Sequence, residues 1–407
     1  MRSGSSRASL TVFGAGVALA VVAGGCGAWR TPAEARAAQA KRGRGDVVVA
    51  AAWPWELRKE LRYGEGLDLA VDDVNQGGGI NGRKLRLLRV DDHESVDEGR
   101  LAAQRIGANP EIVAVIGHLQ SYVTVPAAAV YDLSGLVLVS PAATDSELTS
   151  HGYRRVFRTT FNDRAIGRQI AQFAQQRGLR RVAIFYVRNT YGRELANAFE
   201  ERANEVGLTI AARRSYDPGD QVNQRTFEAV VREWKDLPMD GIFLAGEVPS
   251  AGYFIAQARA AGIRVPMLGG DAMSAPSLMG VSGPAAEGTI VGSVFHPDEP
   301  RPEVRQFATR FSARFGVAPD VASAVAYDAV RLLAHAMHEA RSSVPDDVAA
   351  ALHAVRGWRG VTGAVTFDQD GDVVGKHLVT LIVHHGRFEY LPDAAAPQSA
   401  LATTGSQ

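Results

Sequence analysis

Residues 111–148, EIVAVIGHLQSYVTVPAAAVYDLSGLVLVSPAATDSEL, carry the pattern that decides the fold. Two apolar runs, Ile112 to Ile116 and Leu136 to Val139, are rich in β-branched residues and too short for helices. They read as buried strands. Between them residues 122–133 have the apolar spacing of a helix. Pro126 falls in its early turns, where a missing N–H is tolerated. Strand, helix, strand, with both strands apolar throughout, is the repeat of a parallel sheet covered by helices on both faces.

The unit recurs on either side. Upstream, DVVVAAAW (46–53) and LRLLRVDD (85–92) read as strands, with helical spacing over 60–75 and 97–106. Downstream the pattern restarts. RRVFRTT (154–160) leads to a helix over 164–176, then strand RVAIFYV (181–187) and a helix over 191–206. LTIAARRSY (208–216), GIFLAG (241–246) and VPMLGGD (265–271) are further strands, separated by helices over 222–234 and 249–261. EGTIVGSVF (287–295) precedes helical stretches at 302–315, 320–340 and 345–355. GAVTFDQDGDVVG (363–375) and HLVTLIVHHGRFEYL (377–391) read as strands with turns, too few to bury a core of their own. They are expected to return to the earlier sheets. The fold class predicted is α/β: two doubly wound parallel-sheet lobes, joined by a hinge of several crossings, with a cleft between them. Lobe 1 is assigned 46–162 and 296–377, and lobe 2 is assigned 163–295 and 378–392. A length of 407 residues suits two such domains. Acidic and basic residues balance at 44 each, which gives no bulk charge for nucleic acid.

Both ends lie outside that pattern. Arg2 and Arg7 precede an apolar stretch that closes in Val22-Ala23-Gly24-Gly25-Cys26. A basic start, an apolar middle and small residues before a cut site make an export signal over residues 1–25. Cys26 is the single cysteine, so it has no internal disulfide partner. Its setting resembles a bacterial lipobox, with Ala23 where leucine is usual. That resemblance implies cleavage before Cys26 and lipid on its sulfur. Residues 26–45, with five basic residues and one acid over 27–45, read as a lipid anchor and flexible tether. The tail 393–407 reads as disordered.

Ligands of open α/β sheets sit beyond the carboxyl ends of the strands, which puts SPAAT (140–144) at the cleft. Thr144 and Glu147 form T-x-x-E, the capping box of a short helix. A hydroxyl has one donor and two acceptor sites, so Thr144 can cap and still donate outward. Ser121, near the start of the preceding helix, is either a cap or a binding group. Two such helix starts, with free N–H groups and positive dipole ends, suit a small carboxylate held without a full positive charge. A zwitterion also needs an anion for its ammonium. Asp271, closing PMLGGD, is the candidate, unless it caps the next helix. Tyr191, at the turn in RNTYGREL, either lines the cleft or packs.

With these residues in place, the block VIGHLQSYVTVPAAAVYDLSGLVLVSPAATDSELTSHGYRRVFRTT resembles the bacterial leucine/isoleucine/valine-binding proteins, as do DDVNQGGGINGRKLRLLRVDD, TYGREL and QARAAG. These are solute receptors of ABC importers with the type I periplasmic-binding fold. The resemblance covers residues 46–390. It implies that Ser121, Ala142 and Thr144 contact a ligand's α-carboxylate and ammonium, Ala142 through its backbone. It also implies that Asp271 takes the ammonium, that Tyr191 lies beside the ligand, and that the lobes close by a hinge motion. The side-chain half of the site departs from the family pattern. WPWELRK supplies Trp53 and Trp55, Lys59 stands near the place of a tyrosine, and Glu247 stands where an aromatic contact is common. Trp53 and Glu247 join the expected ligand contacts, although Trp53 and Trp55 fit core packing equally well. These departures leave a polar or cationic amino acid, or a related small molecule, beside an aliphatic one.

Other motifs fail on context. GGGINGRK (77–84) lies after a helix and before a strand, the reverse of a phosphate loop. His335 and His338 have no evident third metal ligand. DQDGD (368–372) misplaces the glycine of a calcium loop and fits a tight turn. With neither G-x-S-x-G nor an opening G-x-G-x-x-G, a hydrolase and a dehydrogenase are unsupported. The expected protein is therefore a binding protein without catalytic residues, cofactor, metal or nucleic-acid partner. It is a monomeric, exported, membrane-anchored lipoprotein, in the periplasm or at the cell surface, that serves an ABC permease. A sensory module of the same fold, signalling to a membrane partner, is the alternative.

Overall fold

β1 (Val47–Trp53) contains no charged residue, and all seven of its residues are buried. β2 (Leu85–Asp91), β3 (Ile112–Gly117), β4 (Val137–Ser140) and β5 (Val156–Arg158) join it in one parallel sheet ordered β2-β1-β3-β4-β5. β3 and β4 are buried along their whole length, as their apolar runs require. β2, at the edge, turns Arg86 and Arg89 to solvent. These assignments come from a computed structural model, which describes residues 30–218 and 224–392. The export signal, Cys26 and the tail 393–407 lie outside the described residues.

A second sheet repeats the order. β6 (Arg181–Val187), β7 (Thr209–Tyr216), β8 (Gly241–Ala245), β9 (Met267–Gly269) and β10 (Ile290–Ser293) pair in parallel as β7-β6-β8-β9-β10. β11 (Trp358–Gly360) and β12 (Gly363–Val365) form a separate two-stranded hairpin, so they do not return to either large sheet as expected. β13 (Val379–His384) and β14 (Arg387–Tyr390) do return, adding antiparallel strands beyond β10. In each sheet the strand order reverses beside the first strand, between β1 and β3 and between β6 and β8. Loops at such reversals form the crevice where ligands settle. Here they carry residues 118–121, 188–191 and 246–249.

The chain passes between the sheets after β5, after β10 and after β12. Helix Val321–Glu339, placed after the second passage, packs on helix Tyr63–Gln76 of the first sheet. A Cβ on Gly66 would lie 2.2 Å from the Ser323 carbonyl oxygen, so the two helices cross closely only because Gly66 has none. Polar pins cross the passages. Arg158 Nε donates to Asp372 at 2.9 Å, and Asn162 donates to the same carboxylate at 2.8 Å. The DQDGD turn thus supplies a buried counter-ion, Asp372. Lys376 donates to the Thr159 carbonyl and the Thr362 hydroxyl, both at 2.8 Å.

One sequence expectation fails clearly. Residues 32–41, read as part of a flexible tether, form a helix docked on lobe 1. Thr31 and Glu34 cap it reciprocally, with Pro32 at its first position. Arg36 fixes the helix in place. It is fully buried and donates to the carbonyls of Ile112 (2.6 Å), Gly107 (2.8 Å), Asn109 (3.0 Å) and Ser134. Gly107, Asn109 and Ser134 lie at the carboxyl ends of helices Val96–Ala108 and Ser121–Leu133, where the dipoles favour a cation. That edge of the sheet is opposite the cleft.

Candidate functional site

The lobe 1 side of the cleft is built by two neighbouring strand ends. β3 delivers Ser121 at the first turn of its helix, and β4 delivers the loop 141–146. The Ser121 hydroxyl oxygen accepts the N–H groups of Thr144 (3.1 Å) and Asp145 (3.2 Å), which ties the loops together. Thr144 is buried and Ala142 is half-buried between Pro141 and Ala143. The capping box expected at Thr144 and Glu147 is absent. The short helix Glu147–Ser150 starts after Ser146 with no side-chain cap, and Asp145 accepts the Glu147 N–H at 2.8 Å. Asp145, one residue later, takes over the local turn and leaves the Thr144 hydroxyl out of that role. Beneath this edge His118 is fully buried, its Nδ1 2.6 Å from Asp92 and its Nε2 2.9 Å from the Tyr131 hydroxyl. That triad sets the loop that leads into Ser121.

The lobe 2 side brings Tyr191 and Asp271 together. Asn189 caps helix Thr190–Glu205 by accepting the Gly192 N–H at 2.9 Å. The cap holds Tyr191 over the end of β9, where its hydroxyl donates to Asp271 at 3.2 Å. A Cβ on Gly270 would meet that hydroxyl at 2.6 Å, so the approach requires glycine. Asp271 opens a 3-10 turn and is only partly exposed. Burial pushes its carboxyl up to about 6, against the hydrogen bond from Tyr191.

Between these edges lies a residue that sequence reasoning missed. Asp163 opens helix Asp163–Gln176, just after the first passage between the sheets. It is fully buried, and no well-formed hydrogen bond reaches its carboxyl oxygens, although the Thr144 hydroxyl lies close enough to oppose the rise in its pKa. Its own N–H donates to the Thr144 carbonyl at 2.8 Å, which links it to the lobe 1 edge. Burial holds its pKa well above the ordinary carboxylate range, and the nearby Asp271 charge raises it further. An aspartate in the first turn of a helix is so ordinary that nothing in the sequence set it apart. The neighbouring Asn162, which caps the helix through the Ala165 N–H at 2.7 Å, already explains the local pattern.

The far end of the cleft is charged. Glu247, after β8, accepts from the Asn189 amide at 2.7 Å. Burial raises its pKa, and the charge of Glu94 adds to that while Arg58 opposes it. Arg58 holds Glu94 through two bonds, 2.8 and 2.6 Å, and Gln120 donates to Glu94 at 2.7 Å. Trp53 does not join this surface. Its ring is 1% exposed and lies flat on Tyr63 at 3.7 Å, inside the core of lobe 1. The expected contact from Trp53 gives way to packing, because stacking on Tyr63 occupies its face. Lys59 pairs with Glu56 at 2.6 Å on the surface. One bond already spans the cleft, from the Ser146 N–H to Glu194 at 3.1 Å.

Twin doubly wound lobes with a polar crevice between them define a solute-binding protein. The chain belongs to the periplasmic binding protein family, whose sequence pattern matches residues 61–382. It is 30% identical to "Leu/Ile/Val-binding protein homolog 1" of Brucella suis biovar 1, over 76% of this chain and 81% of the relative. It is 29% identical to the Leu/Ile/Val-binding protein of Escherichia coli, over 77% of this chain and 84% of the relative. Its structure is similar to an ABC transporter substrate-binding protein of Desulfitobacterium hafniense in complex with Leu, with a TM-score of 0.78 and 38% identity. That match covers 85% of this chain and 100% of the other. These relatives are binding proteins, and this chain is one too, not an enzyme.

Proposed function

We propose that the protein is an exported receptor of an ABC importer that holds an α-amino acid, or a close analogue, between its lobes. The observation that carries this function is a cleft with unlike poles. On one side stand neutral groups: the Ser121 and Thr144 hydroxyls and the N–H groups of 144 and 145. On the other stand Asp163 and Asp271, with Tyr191 between the lobes' edges. A carboxylate accepts hydrogen bonds only, and suits the first pole by sharing the donors now turned to Ser121. An ammonium has three donors and suits the second. Two acids there give it two charged acceptors, and the Thr144 hydroxyl is placed to give a third. Ala142 contributes through its backbone, since a methyl group offers no polar contact. The names of the relatives, which include Leu/Ile/Val-binding proteins and a complex with Leu, support an amino acid as ligand.

In this proposal Cys26 carries the lipid anchor, the working unit is a monomer, and a membrane permease receives the ligand. The test is a thermal-shift screen of free amino acids, their amides and small organic acids. A ligand that binds the folded state alone raises the unfolding temperature in proportion to its occupancy. At least one α-amino acid is expected to do so, with the effect lost in Ser121→Ala. A panel in which no α-amino acid shifts the transition would remove the function proposed.

A further inference from the structure

The side-chain end of the cleft has a charge that the headgroup does not use. Glu247 is partly buried and, among the described residues, its carboxylate is held by the neutral Asn189 amide alone, at 2.7 Å. The cation facing it across the cleft, Arg58, is committed to Glu94 by two bonds, 2.8 and 2.6 Å. Gln120 is turned to Glu94 as well, at 2.7 Å. Glu94 is thus neutralised and satisfied, and Glu247 is not.

A zwitterionic headgroup does not change this. Its one positive charge goes to Asp163 and Asp271, at the other pole. If the lobes closed over an aliphatic side chain, Glu247 would lose water and gain no partner, which is among the more costly events in a binding site. Protonating Glu247, which burial already favours, would lessen that penalty but leave no charge-assisted partner. A positive group on the ligand removes it, because the carboxylate exchanges hydration for a charge-assisted hydrogen bond. Asn189 keeps Glu247 aimed into the cleft, and Asn189 is itself fixed by capping the helix that carries Tyr191. The two poles are therefore set by one turn of chain.

We infer that the cleft is built for an α-amino acid whose side chain ends in a cation, an ammonium or guanidinium, which Glu247 receives opposite the Arg58–Glu94 pair. The inference rests on the headgroup function proposed above. Its test is calorimetric titration of the full-length protein with arginine, lysine, leucine and glutamine, on the wild type and on Glu247→Gln, Glu247→Leu and Ser121→Ala. Arginine or lysine is expected to bind the wild type, and leucine is not. Glu247→Gln should weaken the cationic ligand at least about tenfold, as loss of one partner of a desolvated charge pair does. Glu247→Leu should bring leucine in. An unchanged unfolding temperature of the empty variants shows that they are folded. Leucine binding the wild type in preference to both cationic ligands, and lost in Ser121→Ala, overturns the inference and leaves the headgroup function standing. Failure of every amino acid to bind overturns both.

Discussion

Arg36 and Asp163 are both fully buried, and the chain treats them in opposite ways. Arg36, on the edge of lobe 1 away from the cleft, is wrapped by main-chain carbonyls at two helix ends. Asp163, beside the Thr144 loop, has no cation or main-chain donor on its carboxyl oxygens, only the nearby Thr144 hydroxyl, and a second acid, Asp271, stands near it. A charge that serves the fold is fully satisfied. In the function proposed above, an acid so poorly satisfied beside a crevice is held in place for a ligand's ammonium.

This contrast can be broken or sharpened by substitution. The largest effect is expected at Asp271. Asp271→Ala should lose on the order of 3–5 kcal/mol of ligand affinity, because an ammonium is left buried with part of its counter-charge gone. Calorimetry showing unchanged affinity would remove Asp271 from the site. At the other end of the contrast, Arg36→Met should destabilise the fold by about 3 kcal/mol, since several carbonyls lose their donor. Urea unfolding reads that loss, and ligand affinity should stay as it was. Asp163→Asn should do the reverse. It removes a buried acid whose ionisation burial and Asp271 both oppose, so the empty protein is expected to gain about 1–2 kcal/mol while its ligand affinity falls.

A smaller effect follows from pH. In the empty protein Asp271 holds its proton up to about 6, above the ordinary value of 3.8. A group raised in this way favours the empty fold at low pH, and its contribution is lost as pH rises through about 6. Asp163 is shifted in the same direction. Ligand binding has the opposite sign, because an ammonium needs the ionised acid. From Asp271 alone, affinity should weaken towards about tenfold per unit below pH 6, one proton competing with one ligand, and the raised Asp163 adds to that loss. Titration at several pH values checks the slope, and a flat profile down to pH 4 would contradict it.

The order of β1 to β10 was legible because most of these strands are apolar runs that alternate with helices, and such units stack in few ways. Ser121, Thr144, Tyr191 and Asp271 were legible as candidates because strand ends border the crevice of an open sheet. What escaped the sequence was long-range. The helix over 32–41 carries its capping box in plain view, at Thr31 and Glu34, yet its basic composition read as a solvated tether. Only the docking of Arg36, with carbonyls as far as 98 positions away in the chain, shows why it folds. Trp53 read equally as a ligand contact and as core packing, and the stack with Tyr63 that buries it depends on how a helix lies across the sheet. Asp163 stands out by its burial and its nearness to Asp271, and neither is written in any local pattern. β11 and β12 resembled returning strands because a hairpin and a sheet edge have the same alternation.

The measurement that most directly tests the acid pair compares an amino acid that binds with the same compound lacking its α-amino group. Calorimetry on the wild type should give clear binding for the first and none for the second at equal concentration. The difference should shrink in the double variant Asp163→Asn, Asp271→Asn. Equal affinity for both compounds would show that Asp163 and Asp271 do not hold an ammonium.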